Sequence, residues 1–469
     1  MSRRAWALLL VLCGAIFLEG IDIAMLAVAI PAIRADLALT TGAAAWVVSG
    51  YVLGYAGFTL LGGRAADLLG RRRMFLFWLG AFLAFSALGG FATEGWMLIV
   101  SRFVTGLAAA FMTPASMSII TTSFAEGPQR NRALLIFAGT GAGGFSLGLV
   151  IGGVLTQFGW RWVFFAPVLL AGAILAAAIR LLPAGEPAPV RRGGFDLPGA
   201  ITAAGAMLLL AYGIIRLEHG LHRWDITLAA VLAGALLVCL FTVIERRSAT
   251  PLVRLGILRR ASMVRADLGA LLFLGSFMGF QFMITLYLQE LRGWSSLETS
   301  FALLLMGADV ILAPTLTPLL VNRFGYRRVI LGGFALAALG YALFLPVGPD
   351  WTYAAMVPTL ALTGIAFALA YGPLTIAATD GVAAEEQGLA GGLLQTATQF
   401  GAAVGIAAVT AVHGLAGTGM DAFRAALVVP VVMALLGVAV SLPGVRGGQP
   451  GRVVRTAEPG GAPAGAGAR

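Results

Sequence analysis

Two carboxylates stand where a hydrocarbon-spanning helix should carry none. Asp22 and Glu19 lie in Phe17-Leu18-Glu19-Gly20-Ile21-Asp22-Ile23, inside an apolar run that ends at Pro31. A spacing of three puts both acids on one helical face. Asp22 sits about nine residues from the outer end of its span, roughly 13 Å deep at the helical rise. An acid at that depth is expensive and faces a cavity or a partner. The natural partner is Arg102, about six residues into the fourth apolar run and therefore roughly 9 Å deep. A carboxylate that alternates between a guanidinium partner and a changing degree of hydration can load and release a proton. That is what a proton-coupled exchanger requires. The plainer alternative is an ion pair that only ties two helices together. A third acid, Asp309, falls about eleven residues into the tenth run, roughly 17 Å from its outer end. There it would attract a cationic solute, carry a second proton, or pair with a buried polar group.

A different chemistry is written in Gly63-Arg64-Ala65-Ala66-Asp67-Leu68-Leu69-Gly70-Arg71-Arg72-Arg73. Glycine makes a turn, arginines hold the segment in the cytosol, and one acid pairs with them. The stretch reads as a polar loop between the second and third runs. Its spacing returns in Pro318-Leu319-Leu320-Val321-Asn322-Arg323-Phe324-Gly325-Tyr326-Arg327-Arg328, with Asn322 in place of Asp67 and Gly325 in place of Gly70. Two copies imply two helical halves related by internal pseudo-symmetry, with a cavity between them near mid-membrane.

The elements that must position these groups follow from composition. The chain has 469 residues, 59% of them hydrophobic and only 11% charged, which defines a polytopic membrane protein. A span needs about 20 apolar residues. Fourteen candidates run at 6–31, 43–62, 74–92, 96–122, 133–157, 161–181, 197–216, 225–245, 264–289, 299–321, 328–347, 352–376, 388–412 and 421–444. With the amino terminus inside, only Arg34, Arg161, Arg216, Arg223, Arg292 and Arg424 fall outside. Every other arginine except the intramembrane Arg102 falls inside. That asymmetry supports fourteen spans with both termini cytoplasmic. The net charge of +10 is carried entirely by arginine spread among short loops, which argues against a nucleic-acid partner. Cys13 and Cys239 both lie in apolar runs, so neither a disulfide framework nor a thiolate metal site is expected. His219 and His222, in an outer loop, are weak grounds for a metal, and the chain offers no nucleotide loop.

The second loop copy follows the tenth run, whereas two six-helix halves would put it after the eighth. Two additional helices between the halves account for the difference. The division expected is 1–182 for the first bundle, 183–260 for linkers and the two extra helices, 261–445 for the second bundle, and a disordered tail over 446–469. In the fifth run, Gly144, Gly148 and Gly152 recur every four residues, with Gly153 beside them. Such a stripe lets helices approach closely in lipid, which offers no hydrophobic drive for association. The ninth run is dense in aromatic and thioether groups, and Met278, Gln281 and Phe282 are the candidates for a lining that suits bulky amphipathic compounds.

Taken together, these motifs resemble the fourteen-span drug:proton antiporter family of the major facilitator superfamily, over about residues 6–445. Gly63, Asp67, Gly70 and Arg71, Arg72 and Arg73 resemble the family's loop motif, whose acid is implied to lock one conformational state through charge–helix contacts. Asp22 with Pro31, Arg102 with Gly106, Gly148 to Gly153, the Trp160-Arg161-Trp162 that follows, Leu288-Gln289 with Gly293, and Gln395 to Gly405 resemble its span motifs. The resemblance implies an all-α fold of two six-helix bundles plus two helices, proton coupling through Arg102, and export of small molecules without a cofactor. It also implies a bacterial inner-membrane location, with monomer the favoured state. Leu149 stands where the antiporter motif has proline, and Thr105 where the fourth-span motif has glutamine. Leu149 keeps open the alternative of a facilitator or symporter for another solute. A membrane sensor without transport is the reading from a different class.

Overall fold

The computed structural model describes residues 2–39, 41–182, 196–218, 224–248, 251, 253, 256, 260–417 and 419–446. Within them the chain is all helix, and fourteen helices are long and apolar enough to cross a membrane. The first six are α1 (Arg3–Asp36), α2 (Thr41–Leu69), α3 (Arg71–Gly90), α4 (Gly95–Ser123), α5 (Pro128–Phe158) and α6 (Trp162–Leu181). Then come α7 (Leu197–Glu218) and α8 (Trp224–Arg247). The second half holds α9 (Ala261–Leu286), α10 (Ser296–Leu303), α11 (Asp309–Phe324), α12 (Tyr326–Phe344), α13 (Tyr353–Thr379), α14 (Gln387–Leu415) and α15 (Met420–Arg446). The linker at 183–195, the outer-loop histidines and the tail from 447 lie outside the described residues.

The packing repeats as the two loop copies imply. In the first half α1 packs on α5 and α6, α2 on α4, and α3 on α4 and α6. In the second half α9 packs on α14 and α15, α11 on α13, and α12 on α13 and α15. The halves meet along two seams, α2 with α14 and α5 with α11, which are the same pair under that correspondence. The extra helices α7 and α8 pair with each other, and α7 lies across both α2 and α14, covering the first seam from outside. Trp46 of α2 stacks on Tyr212 of α7, ring centroids 5.9 Å apart. The fold is therefore two six-helix bundles plus two helices.

Glycine explains the closest contacts. Gly144, Gly148 and Gly152 of α5 lie against Phe17, Ile21 and Met25 of α1, where a Cβ would come within 2.9 Å of neighbouring atoms. The pseudo-equivalent pair, α9 and α14, meets through Gly275 and Gly279 against Gly401 and Gly405. Gly153 points elsewhere, toward Leu297 of α10 at 3.4 Å.

Two elements differ from the sequence reading. The stretch 63–69 is no loop: α2 continues through Asp67 to Leu69, and only Gly70, with φ 99°, breaks the chain before α3. Arg64-Ala65-Ala66 is good helix-forming sequence and carries the helix onward. The second copy behaves alike, with α11 running to Phe324 and Gly325 at φ 80°. Conversely, the tenth span is not one α-helix. A 3-10 turn, Leu304–Ala308, separates α10 from α11. Gly307 weakens the helix within that turn.

Candidate functional site

The chemistry falls into three layers. The first is wholly in the first half. Arg102 of α4 donates from Nη1 to Asp22 Oδ2 of α1 at 2.5 Å, and the two side chains are 2% and 3% exposed. The guanidinium also lies over the Tyr51 ring of α2, 4.5 Å from its centroid. Thr113 donates its hydroxyl to Glu19 Oε2 at 2.7 Å. Arg102 and Thr113 are eleven residues apart, about three helical turns, so one face of α4 serves both acids of one face of α1. On another side α4 packs closely on α2, with Gly106 lying directly against the Tyr51 carbonyl. The Arg102 Nε is buried without a hydrogen-bond partner.

The second layer is a small cavity between the halves. It is lined from α5 by Phe145, Ser146 and Leu149, from α9 by Phe277, Met278 and Gln281, and from the 3-10 turn by Leu304 and Met306. Gln281 brings a buried Oε1 that accepts no hydrogen bond, a polar group available to a guest. On α5 the glycine stripe faces α1 while another face lines this cavity, so Leu149 meets any occupant directly. Met278 and Gln281 line the cavity as the sequence suggests. Phe282 does not: one residue on from Gln281 turns it about 100° round the helix, and it is 38% exposed on the outside. Asp309 is the first residue of α11, just beyond the broken turn. Its side chain lies outside the described residues.

The third layer closes the end of the molecule at which α1 begins and α15 ends. Asp67 accepts from the backbone amides of Gly388 at 3.1 Å and Leu389 at 3.0 Å, the first turn of α14. Arg71 Nη2 and the Ser118 hydroxyl donate to the same carboxylate at 3.2 and 3.4 Å. A carboxylate at a helix N-terminus satisfies orphan amides and the positive end of the helix dipole. Gly63 lies directly against Gly388 and makes the approach possible. The connection from α13 to α14 collects further cations. Arg130 of α5 donates to Thr379 O at 2.9 Å, Arg260 to Gly381 O at 2.6 Å, and Arg71 to Ala384 O. Arg72 instead holds the end of α6, donating to Ile179 O at 3.0 Å, and Arg73 is exposed. Arg327 repeats the Arg72 contact in the second half, donating to Gly444 O of α15 at 3.3 Å. The Asp67 contact has no such repeat among the described residues, because Asn322 is exposed.

Several partners escape sequence reasoning. Thr113 and Tyr51 carry no signal, since threonine and tyrosine are ordinary in such helices. Asp267 is open to detection as an acid within the ninth span. Its Oδ1 is buried without a hydrogen-bond partner. It shares the α9 stripe of Met278 and Gln281, eleven and fourteen residues before them.

A membrane-embedded bundle with two pseudo-symmetric halves, a cavity on the seam and a closed end is the anatomy of an alternating-access transporter. The family model of the Major Facilitator Superfamily matches residues 12–406 and again 266–459, and the chain belongs to that superfamily. It is 34% identical to a cephamycin export protein of Amycolatopsis lactamdurans over 90% of this chain and 87% of that one. It is also 34% identical to a lincomycin resistance protein of Streptomyces lincolnensis over 87% and 84%, and 31% identical to a puromycin resistance protein of Streptomyces alboniger over 87% and 82%. Among solved structures it resembles a human organic anion transporter, TM-score 0.72 at 16% identity, covering 94% of this chain and 100% of that one. A proton:xylose symporter gives 0.65, also at 16% identity, with 95% and 96% covered. The chain is thus a multi-pass membrane transporter of small molecules.

Proposed function

We propose that this protein is a proton-coupled antiporter of the bacterial cell membrane that exports hydrophobic or cationic compounds, antibiotics among them, by alternating access. The observation that carries the reading is the Asp22–Arg102 pair, two full charges sealed between α1 and α4. A structure keeps such a pair at a cost in desolvation, and a group that must take up and give up a proton is a reason to keep it. Glu19, on the same face, offers a second carboxyl. Segments 1–182 and 261–445 move as the two bundles, with the helices of 183–260 riding on the α2–α14 seam. The closed end, rich in arginine, faces the cytosol, so the conformation described is shut on that side. Compounds bind at the cavity of Gln281, Met278 and Leu149, with Asp309 at its margin. The cephamycin export protein among the relatives supports the direction of transport.

The test uses inverted membrane vesicles with an acidified lumen. Addition of a transported antibiotic should partly collapse the pH gradient in vesicles carrying the wild-type protein and not in vesicles without it. Efflux that proceeds with no gradient and moves no protons would reject the reading. Compound leaving the lumen together with the protons would favour the symport suggested by Leu149.

A further inference from the structure

Outside the seam, the second half carries a cleft at the end where α15 finishes. It is formed by Ser262, Arg265 and Ala266 of α9, Tyr326, Arg327 and Ile330 of α12, Leu374 and Ala377 of α13, and Ser441 and Gly444 of α15. It is open to the outside at its rim. Its rim is cationic and hydroxylated, and its floor is apolar: Ile330 and Leu374 are 5% and 2% exposed. Arg327 already has a structural duty to Gly444 O. Arg265 has none. Half-buried, with Nε beside Gly444, its guanidinium meets no acceptor among the described residues. One carboxylate stands near the rim, Asp380, which accepts from the Tyr326 hydroxyl at 3.0 Å. The Ser441 hydroxyl donates to Gly437 O at 2.8 Å, which leaves two guanidinium groups and the Ser262 hydroxyl, above an apolar wall, as a receptor for a phosphodiester attached to acyl chains.

We propose that this cleft binds the headgroup of an anionic phospholipid, with Arg265 as the principal phosphate ligand, Arg327 beside it, and the acyl chains running down the outer faces of α12 and α15. On those helices Leu339, Leu435 and Leu436 are exposed. The apolar floor and the position at the ends of membrane-spanning helices favour a lipid over a free anion. Basic pockets at the cytoplasmic side of a bundle are recognised sites for such headgroups. The inference concerns a surface separate from the transport cavity, and stands or falls independently of proton coupling.

The test is native mass spectrometry of the full-length protein titrated with phosphatidylglycerol, alongside phosphatidylcholine and inorganic phosphate. Wild type should retain phosphatidylglycerol over phosphatidylcholine. Arg265→Gln should weaken that retention about tenfold, the loss expected for one charge-assisted contact. Arg265→Lys, which keeps the charge without the planar fork, should weaken it less. Arg180→Gln, an exposed cation at the pseudo-equivalent end of α6, should leave it unchanged. Unaltered binding in Arg265→Gln, or an equal loss in Arg180→Gln, would overturn the site. Competition by inorganic phosphate at concentrations matching the lipid would overturn the lipid as its occupant.

Discussion

Replacing Asp67 by asparagine should open the end that this residue holds shut. The carboxylate accepts two α14 amides together with Arg71 and Ser118. Hydrogen bonds to a charged group contribute about 1.5–3 kcal/mol each, neutral ones about 0.5–1.5. Asparagine keeps one acceptor for one amide and presents a donor to the other. The loss is then about 2–4 kcal/mol, most of it confined to the closed state under the proposed alternating access, in which α2 and α14 separate on opening. At about 1.4 kcal/mol per tenfold, the closed-to-open ratio falls by about 30- to 700-fold. Spin labels at Leu69→Cys and Glu385→Cys, both exposed, report on that gap. Cys239 is exposed and is first replaced by serine, whereas Cys13 is buried. Wild type should give a short, narrow distance distribution by pulsed electron resonance, and Asp67→Asn a longer and broader one. Identical distributions would refute the idea that helix capping across the seam sets this equilibrium. So would a variant that merely unfolds, since the amide bonds to Gly388 and Leu389 that it weakens lie between the halves.

Other changes probe single contacts. Gly148→Leu drives a side chain into Ile21 and Ala24 of α1, and should lower the thermal midpoint in detergent by an amount equivalent to about 1–3 kcal/mol; no change would mean that α1 and α5 are not so close. Thr113→Val removes the donor to Glu19 and should slow antibiotic efflux from vesicles, whereas Thr113→Ser should restore it, and equal rates in all three would remove Glu19 from the account. Asp267→Asn relieves a buried carboxylate oxygen without a donor, which carries a penalty of about 1–3 kcal/mol; its midpoint should match or exceed wild type, and a fall of several degrees would show a partner in another conformation.

What can be read from sequence follows from how rare each signal is in hydrocarbon. A charge in a span is rare, so Asp22 and Arg102 can be paired across 80 residues, and the structure joins them. A glycine every fourth residue is a geometric statement, and the stripe meets α1. The repeat of Gly70 in Gly325 foretells the paired halves, because both glycines hold a positive φ. Where residues are common the signal fails. Hydroxyl side chains usually return a hydrogen bond to their own helix, as Ser116 does to Met112 O and Thr140 to Ile136 O, so nothing singles out Thr113. Aromatic neighbours draw Phe282 toward the lining on paper, yet a single residue step carries it to the outer face. Charge makes the stretch 63–69 read as a loop, yet its alanines and arginine extend α2 and bring Asp67 to α14. The α14 amides that receive Asp67 have no sequence signature, because every residue but proline supplies one.

Whether the Asp22–Arg102 pair couples proton movement to export is decided in proteoliposomes under an imposed pH gradient. Wild type should concentrate a transported antibiotic against its own gradient. Asp22→Asn should still equilibrate the compound across the membrane but fail to concentrate it. A variant that concentrates the antibiotic as well as wild type would contradict the account, whatever the fate of the fold.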